Sequence, residues 1–202
     1  MTLSENIIHA AFKLFMKYGV RSVSMDDLAN VLGMSKKTIY CEFDSKQSLI
    51  QKVIKIHLKN DEEKIKEIIS NSDTALDEMI GISQHVIKFL MQIKPSLIFD
   101  LKKFYPECWD LIEQQHFNFI KTTIEQNVIR GQKEGLYRDD VHPGIISRLY
   151  VAKSNTIVNQ DIFPLTEFDL PDLFRQLELY HLFGIVSEEG KKLLHQNLVN
   201  IK

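Results

Sequence analysis

Apolar residues recur at helical spacing along most of the chain, and the breaks between these stretches fall at Gly, Pro and polar caps. Ile8, Ala11, Phe12 and Phe15 form one such stripe, widened by Ile7, Leu14 and Tyr18, and predict a helix over about 4–18 that Gly19 stops. A long pattern over about 46–69 has Leu49, Ile50, Val53, Ile54, Ile56, Ile65 and Ile68 or Ile69 as apolar positions and a largely polar middle, HLKNDEEKIKE, so it reads as a connector between two parts of the chain. Leu76, Met79, Ile80, Val86 and Ile87 predict a helix over about 75–93, broken by Pro95. A short helix over about 96–104 follows. Pro106 then opens a long helix to about 133, and Pro143 and Pro171 open two more, to about 159 and 185. Ser187 caps a last helix. The expectation is an all-α protein with a three-helix head and a helical bundle as body.

The head centres on Ser24–Phe43, SMDDLANVLGMSKKTIYCEF. Ser24 can cap a helix whose first turn carries Asp26 and Asp27, acids at the positive end of the helix dipole. Leu28, Ala29, Val31 and Leu32 give it an apolar face, and Gly33 ends it. Ser35 caps a second helix, about 36–43, with Ile39 and Phe43 as an i, i+4 pair towards the core. Lys36, Lys37, Thr38 and Tyr40 are left facing outward. Two basic residues in a first turn work against the helix dipole, a cost that a DNA phosphate or a guanine edge offsets. Two short helices around a tight glycine turn form the pattern of a helix-turn-helix, in which the second helix enters the major groove. An ordinary helical hairpin has the same local pattern.

The wider context favours the DNA-binding reading. The stretch AAFKLFMKYGVRSVSMDDLANVLGMSKKTIYCEFDSKQSLI resembles the N-terminal domain of the TetR family of transcriptional regulators. The glycine after the first helix, L-A-x-x-L-G, S-x-x-T-I-Y and F-x-S-K-x-x-L carry this likeness, which spans roughly the first quarter of the chain. The resemblance implies that Tyr40 reaches a phosphate, that Lys46 holds phosphate at the start of the connector helix, and that Ser24 contacts the DNA backbone. With Ser35, Lys36, Lys37 and Thr38 these form the expected DNA-binding set. Cys41 and Glu42 stand where the family varies. The division implied is 1–45 for DNA binding and 46–202 for ligand binding and dimerisation.

The resemblance also implies a body pocket for an apolar or amphipathic effector, with Phe89, Phe104, Trp109, His116 and Phe117 as expected lining, although aromatics at helical spacing are commonly plain core. The last two long helices are apolar on more than one face, which requires cover from both sides. A symmetry mate supplies that cover, and the family pairs these helices across a four-helix dimer interface. Leu149, Leu173, Leu177, Tyr180 and Phe183 are the expected contacts. A two-fold dimer would read half-sites of a palindrome.

Composition agrees with this division. The 202 residues are 44% hydrophobic and 26% charged, ordinary globular values. Net charge is −2 overall, but +4 over residues 1–60 and −6 over 61–202, a basic head on an acidic body. Two cysteines, Cys41 and Cys108, and seven scattered histidines show no metal spacing, and no cofactor is expected. No Gly-rich phosphate loop, HExxH, CxxC or G-x-S-x-G is present, so nothing motivates an enzyme. No signal peptide and no apolar run of about 20 residues is read, and a cytoplasmic setting without membrane contact is expected. The expected partners are a double-stranded operator, a second copy of the chain and a small-molecule effector. The rival readings are a DNA-binding protein that organises the chromosome without an effector and, further off, a helical ligand carrier or enzyme.

Overall fold

The computed structural model describes residues 2–94 and 96–197, with the side chain of His116 also outside the description. Pro95, expected to break a helix, and the His116 side chain, expected in a pocket, therefore lie outside the described residues. Ten helices are present among the described residues: α1 (Leu3–Tyr18), α2 (Met25–Leu32), α3 (Lys36–Glu42), α4 (Lys46–Asn71), α5 (Ala75–Leu90), α6 (Ser96–Phe104), α7 (Pro106–Lys133), α8 (Pro143–Ile157), α9 (Leu170–Ile185) and α10 (Glu188–Asn197). The only β feature among these residues is one isolated bridge between Tyr137 and Val186. The all-α reading holds.

The chain forms two compact units. The first comprises residues 1–61 and 92–116, the second 62–91 and 117–202. In the first, α2 packs against both α1 and α3. Ile7, Ala11, Leu28, Ile39 and Leu49, fully buried, supply its core, with Leu97, Leu101 and Cys108 buried from α6 and the start of α7. Helix α5 ends at Leu90, three residues before the expected stop, because the chain then turns to put the Lys94 N–H on the Met16 carbonyl at 2.9 Å.

In the second unit, α9 packs against α5 and α8. One cluster gathers Leu76, Met79, Ile124, Val128, Tyr137, Tyr150, Leu182 and Ile185; a second holds Ile87, Ile157, Phe174 and Leu177. Arg130 ties the end of α4 to this body. Its Nη2 donates to the Ser72 and Asp73 carbonyls at 2.9 and 2.7 Å, and its Nη1 pairs with the buried Glu78 at 3.1 Å. Carbonyls at a helix C-terminus have no donor of their own, so a guanidinium there satisfies them. Desolvation raises the Glu78 pKa above its ordinary value, against the pull of Asn127 and Arg130.

Candidate nucleic-acid interface

Local hydrogen bonds build the helix-turn-helix. Ser24 Oγ accepts from the Asp27 N–H at 3.1 Å, and the Asp27 carboxylate accepts in return from the Ser24 N–H at 2.7 Å and its hydroxyl at 2.6 Å. This reciprocal box satisfies two donors that the first turn of α2 would otherwise leave open. The same bonds lower the Asp27 pKa. Helix α2 ends where the N–H groups of Gly33 and Met34 bond the carbonyls of Asn30 and Ala29 at 3.3 and 3.0 Å, with Gly33 at φ 63, ψ 32. A Cβ at Gly33 would meet no atom within 4 Å, so the left-handed backbone alone calls for glycine there. Ser35 Oγ then accepts from the Thr38 N–H at 3.1 Å and opens α3.

Helix α3 is divided by burial. Ile39 is fully buried and Phe43 nearly so, while Lys36, Lys37, Tyr40, Cys41 and Glu42 are exposed and Thr38 is half-buried. The outward face thus carries two ammonium groups, a hydroxyl and a phenol on a short helix opened by Ser35. Lys36 has a partner that the sequence reading missed: its Nζ lies 2.7 Å from Asp26 Oδ2, across the turn. That contact raises the Lys36 pKa. Lys46, at the start of α4, is half-buried, with its Nζ 3.5 Å from the Arg21 carbonyl and 5.6 Å from the centre of the Tyr105 ring. All seven residues expected on DNA therefore belong to the first unit, on α2, α3 and the start of α4 or at their caps.

The expected pocket aromatics come from both units. Phe104 and Trp109 belong to the first unit, Phe89 and Phe117 to the second. Phe104 is exposed, with the Arg21 guanidinium 4.5 Å above its ring, and half-buried Trp109 lies under Lys102 at the same distance. In the second unit a groove between α8 and α9 is lined by Leu149, Lys153, Tyr180, His181 and Phe183. Leu149, Tyr180 and Phe183, three of the five expected dimer contacts, are exposed there. Leu177 is 7% exposed and packs on Ile87, Ile157 and Phe174 of its own chain, with Leu173 half-buried against the same cluster. These two pack on α5 and the end of α8, while Tyr180 and Phe183 of the same helix stay exposed.

Behind that groove lies a buried polar group with no sequence signature. Glu178, fully buried, accepts from the Ser83 hydroxyl at 2.7 Å and from the Tyr150 hydroxyl. Desolvation raises its pKa to about 7. His181, one turn on, packs edge-to-face on Tyr150 at 4.9 Å, and its Nε2 has no hydrogen-bond partner. Burial and the nearby Lys153 lower its pKa to about 4, so it is neutral at pH 7. Cys108 is buried, and desolvation pushes its thiol to about 11. Among the described residues, no group of three or more His, Cys, Asp or Glu could hold a metal ion, and no helix is long and apolar enough to cross a membrane.

Comparison with known proteins agrees with this geometry. Residues 7–53 match the family model described as bacterial regulatory proteins, tetR family. The HTH-type transcriptional regulator YvaF of Bacillus subtilis (strain 168), itself uncharacterized, is 22% identical over 193 residues, covering 93% of this chain and 97% of YvaF. Two solved structures share the fold. One is SmeT, the repressor of the Stenotrophomonas maltophilia multidrug efflux pump SmeDEF, with a TM-score of 0.70, 16% identity and coverage of 93% of this chain and 92% of SmeT. The other is a proposed transcriptional regulator from Saccharomonospora viridis in complex with choline, with a TM-score of 0.70, 17% identity and coverage of 92% and 98%. The matched segment, residues 7–53, thus folds as a capped helix-turn-helix whose second helix bares a basic face, and the chain carries a DNA-binding domain of the tetR-family type.

Proposed function

We propose that this protein is a homodimeric repressor that binds a palindromic operator through α3 and releases it when a small apolar or amphipathic molecule enters the body. The observation that carries the DNA reading is the division of α3: Ile39 and Phe43 are buried, and Lys36, Lys37, Thr38 and Tyr40 face away from them. Buried Ile39 fixes the rotation of the helix, and that rotation sets which side chains meet base edges and phosphates. Ser24, Ser35 and Lys46 would flank this face as backbone contacts. Residues 1–45 would make the DNA contacts, and 46–202 would supply effector binding and dimerisation.

Dimerisation would use the exposed apolar side chains Ile145, Leu149, Tyr180 and Phe183, a patch that a second copy can cover by two-fold symmetry. The fold-mates support the remaining roles: SmeT is a repressor, and the Saccharomonospora protein holds choline. Release is a matter of linkage, since an effector that favours a head arrangement unsuited to the operator must lower DNA affinity by its own differential affinity.

The test is selection of bound duplexes from a random library at two salt concentrations. A palindromic sequence enriched at the higher salt, where phosphate-only binding falls steeply, supports operator reading. Binding without an enriched sequence would overturn it in favour of a chromosome-organising protein, and no binding would leave the helix-turn-helix without a DNA role.

A further inference from the structure

The turn between α1 and α2 is completed by a segment from much further along the chain. The carbonyls at the end of α1 lack intrahelical donors, and Lys94 supplies two: its N–H reaches the Met16 oxygen at 2.9 Å and its Nζ the Tyr18 oxygen at 3.3 Å. Beyond the helix, the N–H of Arg21 donates to Asp100 Oδ2 at 3.2 Å. Asp100, on α6, is 7% exposed, so this carboxylate is spent inside the unit rather than on solvent. It comes so near that a Cβ at Gly19 would stand 2.9 Å from the same oxygen, and Gly19 is also at φ 84. On the outer side, the Arg21 guanidinium lies 4.5 Å over the Phe104 ring, and the Arg21 carbonyl is 3.5 Å from Lys46 Nζ. Lys46 in turn stands over Tyr105, and Gln47 Nε2 donates to Glu107 Oε2 at 2.5 Å.

These bonds converge on one short stretch. Ser24, the cap of α2, follows closely on Arg21, and Lys46 opens α4. We infer that Asp100 is a positioning residue for DNA binding: by fixing the Gly19–Arg21 turn, it sets the placement of Ser24 and Lys46, the two residues proposed to flank the reading helix on phosphate. Phe104 supports the same turn from the surface by holding the Arg21 side chain. Neither residue need touch DNA. This inference rests on the proposed operator binding.

The experiment compares wild type, Asp100→Ala, Asp100→Asn and Phe104→Ala on the selected operator over a range of salt. Asp100→Ala removes the acceptor for the Arg21 N–H and is expected to weaken binding roughly tenfold or more. The slope of log affinity against log salt should fall by about one for each phosphate that the protein no longer neutralises. Asp100→Asn keeps an acceptor oxygen and should restore most of both. A purely structural role would lower the melting temperature but leave the salt slope of the folded protein unchanged, and that result overturns the proposal. Should Asp100→Ala not fold, Phe104→Ala removes an exposed ring only; a lowered slope there supports the proposal and a wild-type slope overturns it. Failure of the wild type to select any operator would instead overturn the proposed function, and this inference with it.

Discussion

Asp26 and Lys36 are ten residues apart in sequence and 2.7 Å apart in space, and the proposed role of Lys36 makes that pair consequential. An ammonium held by a carboxylate is partly neutralised before DNA arrives, and the carboxylate itself repels phosphate. Asp26→Asn should therefore raise operator affinity several-fold at low salt, with the gain shrinking as screening increases. Fluorescence anisotropy on a labelled operator measures it; a fall in affinity would mean that Asp26 orients Lys36 rather than competing for it. Lys37→Ala and Tyr40→Phe remove one charge and one hydroxyl from an exposed face, so both should weaken binding while leaving the melting temperature within about a degree, the small effect usual for surface substitutions. Unchanged affinity in both variants would remove α3 from the interface. The caps around this site were legible in sequence because Ser24 and Asp27, like Ser35 and Thr38, interact three residues apart. The Asp100–Arg21 bond spans 79 residues, and no local pattern announces it.

Helix α9 shows what an apolar pattern leaves open at the scale of one element. Its composition requires cover on more than one side, and that much is readable. Which residues face the chain's own core depends on the rotation of the helix, and that is set by α5 and α8. Leu177, Phe174, Leu182 and Ile185 turn inward, while Tyr180 is 69% and Phe183 41% exposed. In the proposed dimer, the buried and exposed side chains of α9 would separate stability from assembly. Leu177→Ala should cost about 2–5 kcal/mol of unfolding free energy, the range for a buried leucine. Tyr180→Glu combined with Phe183→Glu should leave the helical content intact but give monomers in sedimentation velocity. A dimer that survives both charges would move the interface off this face. Glu178 lies on the buried face and carries no signal of its burial, since its partners Ser83 and Tyr150 are 95 and 28 residues away.

At the scale of the whole molecule, two buried titratable groups one turn apart on α9 should oppose each other in the dependence of stability on pH. Glu178 has its pKa raised from 4.5 to about 7 in the folded chain, so the stabilisation it gives is fully present below pH 4.5 and is lost as pH rises through about 7. His181 has its pKa lowered from 6.5 to about 4, so its contribution is present above pH 6.5 and is lost as pH falls through about 4. Between pH 4.5 and 6.5 the folded chain holds one extra proton at Glu178 and lacks one at His181, and the two slopes cancel. The surroundings account for both directions: Glu178 meets only hydroxyls, from Ser83 on α5 and Tyr150 on α8, while His181 meets the Tyr150 ring and the charge of Lys153. Removing one member exposes the other. Relative to wild type, His181→Phe should lose stability as pH rises from about 4 to 6.5, and Glu178→Gln should gain it from about 4.5 to 7, each by up to about 1.4 kcal/mol per pH unit. Urea unfolding of the three proteins at pH 5, 6 and 7 reads these differences directly, and groups elsewhere in the chain drop out because they are common to all three. Differences that stay constant across that range in both variants would mean that neither group changes its proton count on folding, and the polar core of α9 would then act only to fix the register of α5, α8 and α9.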